Sequence, residues 1–411
     1  METVRSESRQ AAGSGNAACN DVVYDYAVSN DVVNNVNIGI RGNKCNMAMK
    51  SDSMRAEKEE IISVGRQLHD KGLLVRTWGN ISSRIDETHF LITPSGIRYE
   101  DLTPEMIVCV NMEDLSYEGN ILPSSEKLVH AACYQQRRDA RFIVHTHQVY
   151  ASCAGALGLH EINTEYEEDD ICIPCAPYAL PGTQKLAEHV RETLQRYKQS
   201  DGLIMSNHGT VCLGRNSMEA IGEAVKLEIA ANNFLMDRCN TDIRHGVSEG
   251  YGSRKSDGVI IYDVEDTPDR VKRIHEEIYA KRPDVSCIVH NRSEAVMLTS
   301  RRTVHMKPLL DDFAQLIGTS VTVPLNVHGH DGDRLHIRKD VNVVFNLNDG
   351  AYCLGKSRDD AEAVAIVLDK GCIAQIAATR YGEAHFLTWM DCLKMNRHYR
   401  NSYSKLAEQH E

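Results

Sequence analysis

Long apolar runs are the first thing this sequence lacks. Stretches such as Leu203-Ile204-Met205 and Ala363-Val364-Ala365-Ile366-Val367-Leu368 fall well below the roughly 20 residues that a membrane span requires, so no transmembrane helix is expected. Arg5 and Arg9 are followed by no apolar segment, which argues against a secretory signal. A basic stripe is missing too: 46 Lys+Arg against 58 Asp+Glu give a net charge of −12. Without a cationic footprint for phosphates, a nucleic-acid partner is not expected. Nor is there a cysteine framework, since the 13 cysteines are an odd number dispersed through apolar segments. They read as reduced, buried thiols in a cytoplasmic protein.

What remains is the composition of a soluble globular chain, 25% charged and 42% hydrophobic over 411 residues, long enough for two or three domains. Residues 1–54 stand apart. They hold eight asparagines between Asn16 and Asn46, and Asn20-Asp21-Val22-Val23 recurs as Asn30-Asp31-Val32-Val33. No period there would bury a face, so a disordered N-terminal tail is expected. Met47, Met49 and Met54 are each a candidate start of translation.

From Arg55 the pattern turns helical, with Ile61, Ile62, Gly65 and Leu68 on one face and Gly72 as a stop. Three short strand-like runs follow (80–84, 89–93 and 106–110), broken by Pro94-Ser95-Gly96, and they predict an antiparallel-rich sheet. Next come a helix from about Ser125 to Gln136, a buried strand from Arg141 to His147, and an acidic loop from Glu161 to Asp170. A helix near 184–197, a strand near 203–206 and a long helix near 217–237 complete this half. The mixture predicts an α/β fold with helices packed on a mixed sheet.

The second half echoes the first. Asp139 to His145 (Asp-Ala-Arg-Phe-Ile-Val-His) is answered by Asp284 to His290 (Asp-Val-Ser-Cys-Ile-Val-His). Likewise Asn207, Gly209 and Cys212-Leu213-Gly214 are answered by Asn348, Gly350 and Cys353-Leu354-Gly355. A divergent tandem duplication follows. The expected organisation is a tail over 1–54, a first domain over 55–245, a linker over 246–257 and a degenerate second copy over 258–411.

His145-Thr146-His147 is the sharpest chemical signal, because residues i and i+2 of a strand share a face and two imidazoles can grip one metal ion. The plain alternative is two half-buried histidines. His208, in Asn207-His208-Gly209 at a strand end, offers a third imidazole beside a glycine that permits close approach. Three neutral imidazoles with an open position are what a catalytic Zn2+ requires. Glu126 follows Ser124 and Ser125 at the expected helix start. An ordinary reading is a serine cap with a carboxylate complementing the helix dipole. The chemical reading has the two hydroxyls and the helix end binding an anion such as phosphate while Glu126 acts as a general base. Gly79-Asn80 and Thr93-Pro94-Ser95-Gly96 are either ordinary turns or further donors to that anion. Cys172-Ile173-Pro174-Cys175 has thioredoxin-like spacing but is expected to be an extended segment. His275-Glu276-Glu277 is expected to be a helical surface patch.

Taken in order, Gly79-Asn80, Ile92-Thr93-Pro94-Ser95-Gly96, Pro123-Ser124-Ser125-Glu126 with His130, His145-Thr146-His147, Ile173-Pro174-Cys175-Ala176-Pro177-Tyr178 and His208-Gly209 resemble the class II aldolase/adducin family over residues 56 to 240. Its fuculose-phosphate aldolase branch is the nearest match. The resemblance implies Zn2+ on His145, His147 and His208, with Glu126 as acid/base able to approach the metal. It implies a phosphate cradle of Gly79, Asn80, Ser95, Gly96, Ser124 and Ser125. The implied reaction splits a ketose 1-phosphate into dihydroxyacetone phosphate and an aldehyde, the metal acting as Lewis acid and Glu126 shuttling a proton.

Family relatives place a tyrosine as proton donor in the loop before Ile173. Here that loop reads Thr164-Glu165-Tyr166-Glu167-Glu168-Asp169-Asp170, and Tyr166 is out of register. The second copy has Val271, Arg292 and Asp349 where the first has Glu126, His147 and His208, so it is expected to be a pseudo-domain without a metal. Because family sites form between subunits, it is further expected to stand in for a neighbouring subunit within a homo-oligomer, a dimer or tetramer. Rival readings are an epimerase, a dehydratase or a decarboxylase on the same fold, or a non-catalytic adducin-like scaffold. Glu126 in place of the aspartate usual in the epimerases favours the aldolase.

Overall fold

The computed structural model describes residues 54–74, 78–248, 250–301, 305–323 and 335–403; the expected tail, apart from Met54, lies outside them. Among the described residues no helix is long and apolar enough to cross a membrane.

The first half opens with α1 (Arg55–Asp70), which buries Ile61, Ile62, Val64, Gly65 and Leu68 and ends before Gly72 at φ +69°. Strands β1 (Asn80–Arg84), β2 (His89–Ile92) and β3 (Val108–Asn111) form the expected antiparallel run. Then come α2 (Lys127–Gln136), β4 (Phe142–Thr146), α3 (Val149–Gly155), β5 (Glu161–Tyr166), β6 (Asp169–Ala176), α4 (Gln184–Arg196), β7 (Gly202–Met205), β8 (Gly209–Gly214) and α5 (Ser217–Cys239). The eight strands lie in the order β3-β2-β1-β4-β8-β7-β6-β5, antiparallel except where β6 meets β7. Successive residues of the central strands point to opposite faces, so the sheet carries two apolar layers. Phe90, Ile92, Ile143, Leu203 and Val211 pack with α2 and α4 on one side. Ile81, Leu91, Val144, Ile204 and Cys212 pack with α1, α3 and α5 on the other.

Two local expectations change. The acidic stretch from Glu161 to Asp170 is a hairpin, β5 paired with β6. Its many carboxylates obscure a two-residue period in which Ile162, Thr164 and Tyr166 are more covered than Asn163 and Glu165. Helix α2 begins at Lys127 with Glu126 itself in the capping position and no side-chain cap; Ser124 Oγ accepts instead from the Glu126 N–H at 3.3 Å. Cys172 and Cys175 are free thiols in extended β6, as expected.

The second half repeats the plan in reduced form. Strands β9 (Ser253–Ser256) and β10 (Val259–Tyr262), helix α6 (Asp269–Lys281), β11 (Cys287–Asn291), α7 (Glu294–Ser300), the short pair β12 (His305–Met306) and β13 (Val321–Thr322), β14 (Val343–Asn346), β15 (Gly350–Gly355), α8 (Arg358–Tyr381) and α9 (Trp389–His398) follow in order. The main sheet runs β10-β9-β11-β15-β14, matching β2-β1-β4-β8-β7. Register agrees residue by residue: His145 faces Val211 across β4 and β8, and His290 faces Tyr352 across β11 and β15. Strand β9 lies inside the stretch expected to be a linker. Its polar sequence hid it, because Ser253 is buried by a hydrogen bond rather than by apolar packing. The two halves share one continuous core in which residues of α3 and α5 join those of α8.

Candidate metal centre

Three backbone features bring the site together. Strand β4 sits between β1 and β8, carrying His145 near its end and His147 just beyond. His208 sits in the tight turn from β7 to β8, where Asn207 adopts φ +63°. Gly209 closes that turn against β4: a Cβ there would lie 2.3 Å from the Thr146 carbonyl oxygen. The start of α2 delivers Glu126 from the other side. All four side chains are buried, and one ligand atom from each lies within 4.8 Å of the others.

The contacts define which atoms converge. His145 Nε2 lies 2.8 Å from Glu126 Oε2, 3.0 Å from His147 Nε2 and 3.1 Å from His208 Nε2. His208 Nε2 is 3.2 Å from Glu126 Oε1. A carbonyl accepts hydrogen bonds and cannot donate them, so the 2.8 Å contact from His145 Nδ1 to the Thr210 carbonyl puts the imidazole proton on Nδ1. The Nε2 lone pair then faces the cluster. At His208 the Asp311 carboxylate lies 2.6 Å from Nδ1 as an ion-pair contact, which favours a proton on that nitrogen. Lone pairs aimed at one another and at a carboxylate repel unless a cation lies among them, and this donor set suits a divalent transition metal.

Electrostatics point the same way. Burial pushes the Glu126 carboxyl up, but His145 and His208 outweigh it and hold it well below the usual carboxylate range. Burial, then His208 and His145, push His147 well below its ordinary value. Burial also works against the charge on His208, yet the flanking Asp311 and Glu126 raise it to about 10. Protons and metal ions compete for that position.

Asn80 and His130 fix the orientation of the carboxylate. Glu126 in its charged form only accepts, so the Asn80 amide nitrogen faces it, donating at 3.1 Å to Oε2. The Asn80 carbonyl oxygen therefore faces His130 Nε2, which donates to it. His130 Nδ1 is left to accept from the Ser82 hydroxyl at 2.6 Å, and Tyr134 donates to Ser82 Oγ at 2.8 Å. Every member of this chain is buried.

The remaining expected site residues lie on adjoining segments. Gly79, at φ +91°, packs so closely that a Cβ would meet the His145 carbonyl oxygen at 2.4 Å. Residues 93–96 and 122–125 run side by side through a bridge between Pro94 and Pro123. Ser95 Oγ donates to the Pro123 carbonyl at 3.1 Å, and the Ser124 N–H donates to the Thr93 carbonyl at 3.0 Å. Gly96 and Ser125 belong to these two segments. Tyr166 ends β5 at the turn of its hairpin.

A family profile described as the class II aldolase and adducin N-terminal domain matches residues 59–235 and again 252–376. The chain belongs to the class II aldolase and adducin family. An L-fuculose phosphate aldolase of Escherichia coli is 36% identical over 186 residues, 44% of this chain and 84% of that protein. A 5-methylthioribulose-1-phosphate/5-deoxyribulose-1-phosphate aldolase of Escherichia coli is 35% identical, covering 43% and 82%. A 3-oxo-tetronate 4-phosphate decarboxylase of Haemophilus influenzae is 30% identical, covering 44% and 87%.

Both family segments keep the aldolase-type scaffold, but among the described residues the second shows no such cluster. Its His290 spends both ring nitrogens on the protein: Nε2 donates to the Asp349 carbonyl at 2.6 Å, and Nδ1 accepts from the Tyr251 N–H at 3.2 Å. Val271, in Glu126's place, is buried among apolar side chains. His275 is not a surface patch; it is buried, with Nδ1 2.8 Å from Ser253 Oγ. Asp311, Asp312 and Lys370 near the first cluster escaped the sequence reading. Their signal was charge inside apolar runs, Leu309-Leu310-Asp311-Asp312-Phe313 and Val367-Leu368-Asp369-Lys370.

Proposed function

We propose that this chain is a metal-dependent aldolase that cleaves a ketose 1-phosphate into dihydroxyacetone phosphate and an aldehyde. The observation that carries the reading is the convergence of three imidazole Nε2 atoms and the Glu126 carboxylate, with Asn80 and His130 fixing the carboxylate's orientation. When bound, Zn2+ or another divalent ion on His145, His147 and His208, with Glu126 able to approach, supplies Lewis acidity to the substrate's carbonyl and neighbouring hydroxyl.

Glu126 carries the proton between the two substrate carbons. Its low proton affinity keeps it a carboxylate, so in cleavage it would take the proton that the C4 hydroxyl releases as the C3–C4 bond breaks and deliver it to C3, the carbon left behind. Asn80 keeps one carboxylate oxygen engaged, which leaves Oε1 to face His208 and the reacting carbon. The segments holding Gly79, Asn80, Ser95, Gly96, Ser124 and Ser125 bind the phosphate and orient the substrate, with burial excluding water. A homo-oligomer, dimer or tetramer, is the assembly this reading expects, and a cytoplasmic site of action goes with its phosphorylated sugar substrate.

The test is aldol cleavage of a panel of ketose 1-phosphates, with dihydroxyacetone phosphate detected enzymatically and metal quantified, for wild type and Glu126→Gln. Metal-dependent cleavage reduced by about 10²- to 10⁴-fold in Glu126→Gln, with the metal retained, is expected. Bound metal without cleavage would favour the decarboxylase, epimerase or dehydratase reading. Purification without stoichiometric metal would favour a scaffold.

A further inference from the structure

We infer that the chemically silent C-terminal copy serves the metal centre of the first copy, through Asp311 as the residue that positions His208 for metal binding. The inference rests on the metal reading proposed above and adds to it a role for the second half of the chain.

The two halves meet at the turn that carries His208. Asp311, wholly buried, reaches across with its carboxylate to His208 Nδ1 at 2.6 Å, while its own N–H donates to the Asn207 carbonyl at 3.0 Å. Asn207 answers by donating its amide to the carbonyls of Leu309 and His385, each at 2.7 Å, and His385 Nδ1 donates to Asn207 Oδ1 at 2.9 Å. A second tether sits at the other histidine pair: buried Lys370 donates to the His147 carbonyl and to Asp312 Oδ2, both at 2.9 Å. The second copy therefore holds the main chain beside two of the three imidazoles and the ring of one.

The ring contact is the chemically specific part. A carboxylate 2.6 Å from Nδ1 favours the Nδ1–H tautomer, which presents the Nε2 lone pair to the cluster and makes it a better electron donor. His145 obtains the same tautomer from a backbone carbonyl of its own copy. His208 receives a stronger acceptor from the other copy, on a turn whose left-handed Asn207 is pinned by that same copy. A filler domain that merely covered apolar surface has no need of a buried carboxylate at this place.

The experiment uses the full chain and zinc alone. Zinc affinity is measured by competition with a chromophoric chelator for wild type and Asp311→Asn, with far-UV circular dichroism of each. A 10- to 100-fold weaker zinc affinity in Asp311→Asn with an unchanged spectrum is expected, the range seen when such outer carboxylates are removed. Equal zinc affinity in the two proteins overturns the inference and leaves the metal reading standing. Failure of wild type to bind zinc overturns both. Nitrogen-15 spectra of histidine-labelled, zinc-loaded wild type give a second readout that needs no folded Asp311 variant, with the His208 signals assigned by their loss in His208→Gln. A protonated Nδ1 and a metal-bound Nε2 are expected for His208, and zinc on Nδ1 overturns the inference.

Discussion

Acid should destabilise this protein through two buried imidazoles that occupy equivalent places in the two copies, His130 and His275. Burial is the main cause at both. It lowers each from 6.5 to about 3. The folded chain thus keeps both neutral at a pH where the unfolded chain has already taken up a proton on each. A group depressed in this way contributes stability that is fully present above its unfolded value and is lost as pH falls towards its folded one. The loss therefore begins near 6.5 and continues down to about 3.

Between about pH 7.5 and about pH 5, roughly 1.5 units of that window are crossed, at about 1.4 kcal/mol per unit. Each imidazole then costs about 2 kcal/mol and the pair about 4, a large share of the 5–15 kcal/mol typical of a folded domain. The perturbation that isolates one of them is His275→Gln, far from the metal cluster and able to keep a hydrogen bond to Ser253. Urea unfolding at the two pH values, followed by circular dichroism with chelator present, should show the variant losing about 2 kcal/mol less than wild type on acidification. Groups common to both proteins cancel in that difference. Equal acid sensitivity would refute the reasoning, since it would mean that His275 titrates as it does in the unfolded chain.

Two further outcomes follow from the packing. Gly79→Ala should lower stability more than Gly119→Ala: both glycines have φ above +90°, but a Cβ at 79 meets the His145 carbonyl oxygen at 2.4 Å while one at 119 meets nothing within 4 Å. Strain of about 1–3 kcal/mol is common to the two, and thermal melts giving equal losses would show that the contact with β4 is immaterial. Lys370→Met should cost about 3–5 kcal/mol by leaving Asp312 charged and unpaired in the core. Adding Asp312→Asn should recover much of that in the same denaturation assay, and a double variant no better than the single one would contradict the pairing.

The cluster was legible because its geometry is local: a two-residue step on a strand places His145 and His147, and a glycine after His208 announces the close turn. Strand register then brings the pieces together without any long-range guess. Asp311 and Lys370 were not legible, because they act on residues remote in sequence and no period predicts which buried charge meets which histidine. His275 was misread from its neighbours. Glu276 and Glu277 suggested a surface, whereas Val271, Ile274, His275 and Ile278 form the buried stripe of α6, and helical spacing should have placed the histidine with them.

Comparing the copies position by position separates what the scaffold needs from what the chemistry needs. Ser82, His130 and Tyr134 tie β1 to α2, and Ser253, His275 and Tyr279 tie β9 to α6 in the same way. The contacts of Arg137 with Asp139 and of Arg282 with Asp284 recur, as do the left-handed Asn207 and Asn348. The candidate site, by contrast, is replaced: Asn80 stands against Tyr251, Glu126 against Val271, His147 against Arg292 and His208 against Asp349. Physical cost explains the division. A buried serine or tyrosine stripped of its partner leaves an unsatisfied group that costs about 1–3 kcal/mol, so the internal ties persist wherever the fold persists. A buried carboxylate among imidazole lone pairs is favourable with a cation and unfavourable without one, so where the matching positions hold Arg292 and Asp349 rather than imidazoles, Val271 suits the core better. The second half keeps the frame and presents Asp311 and Lys370 to the site of the first.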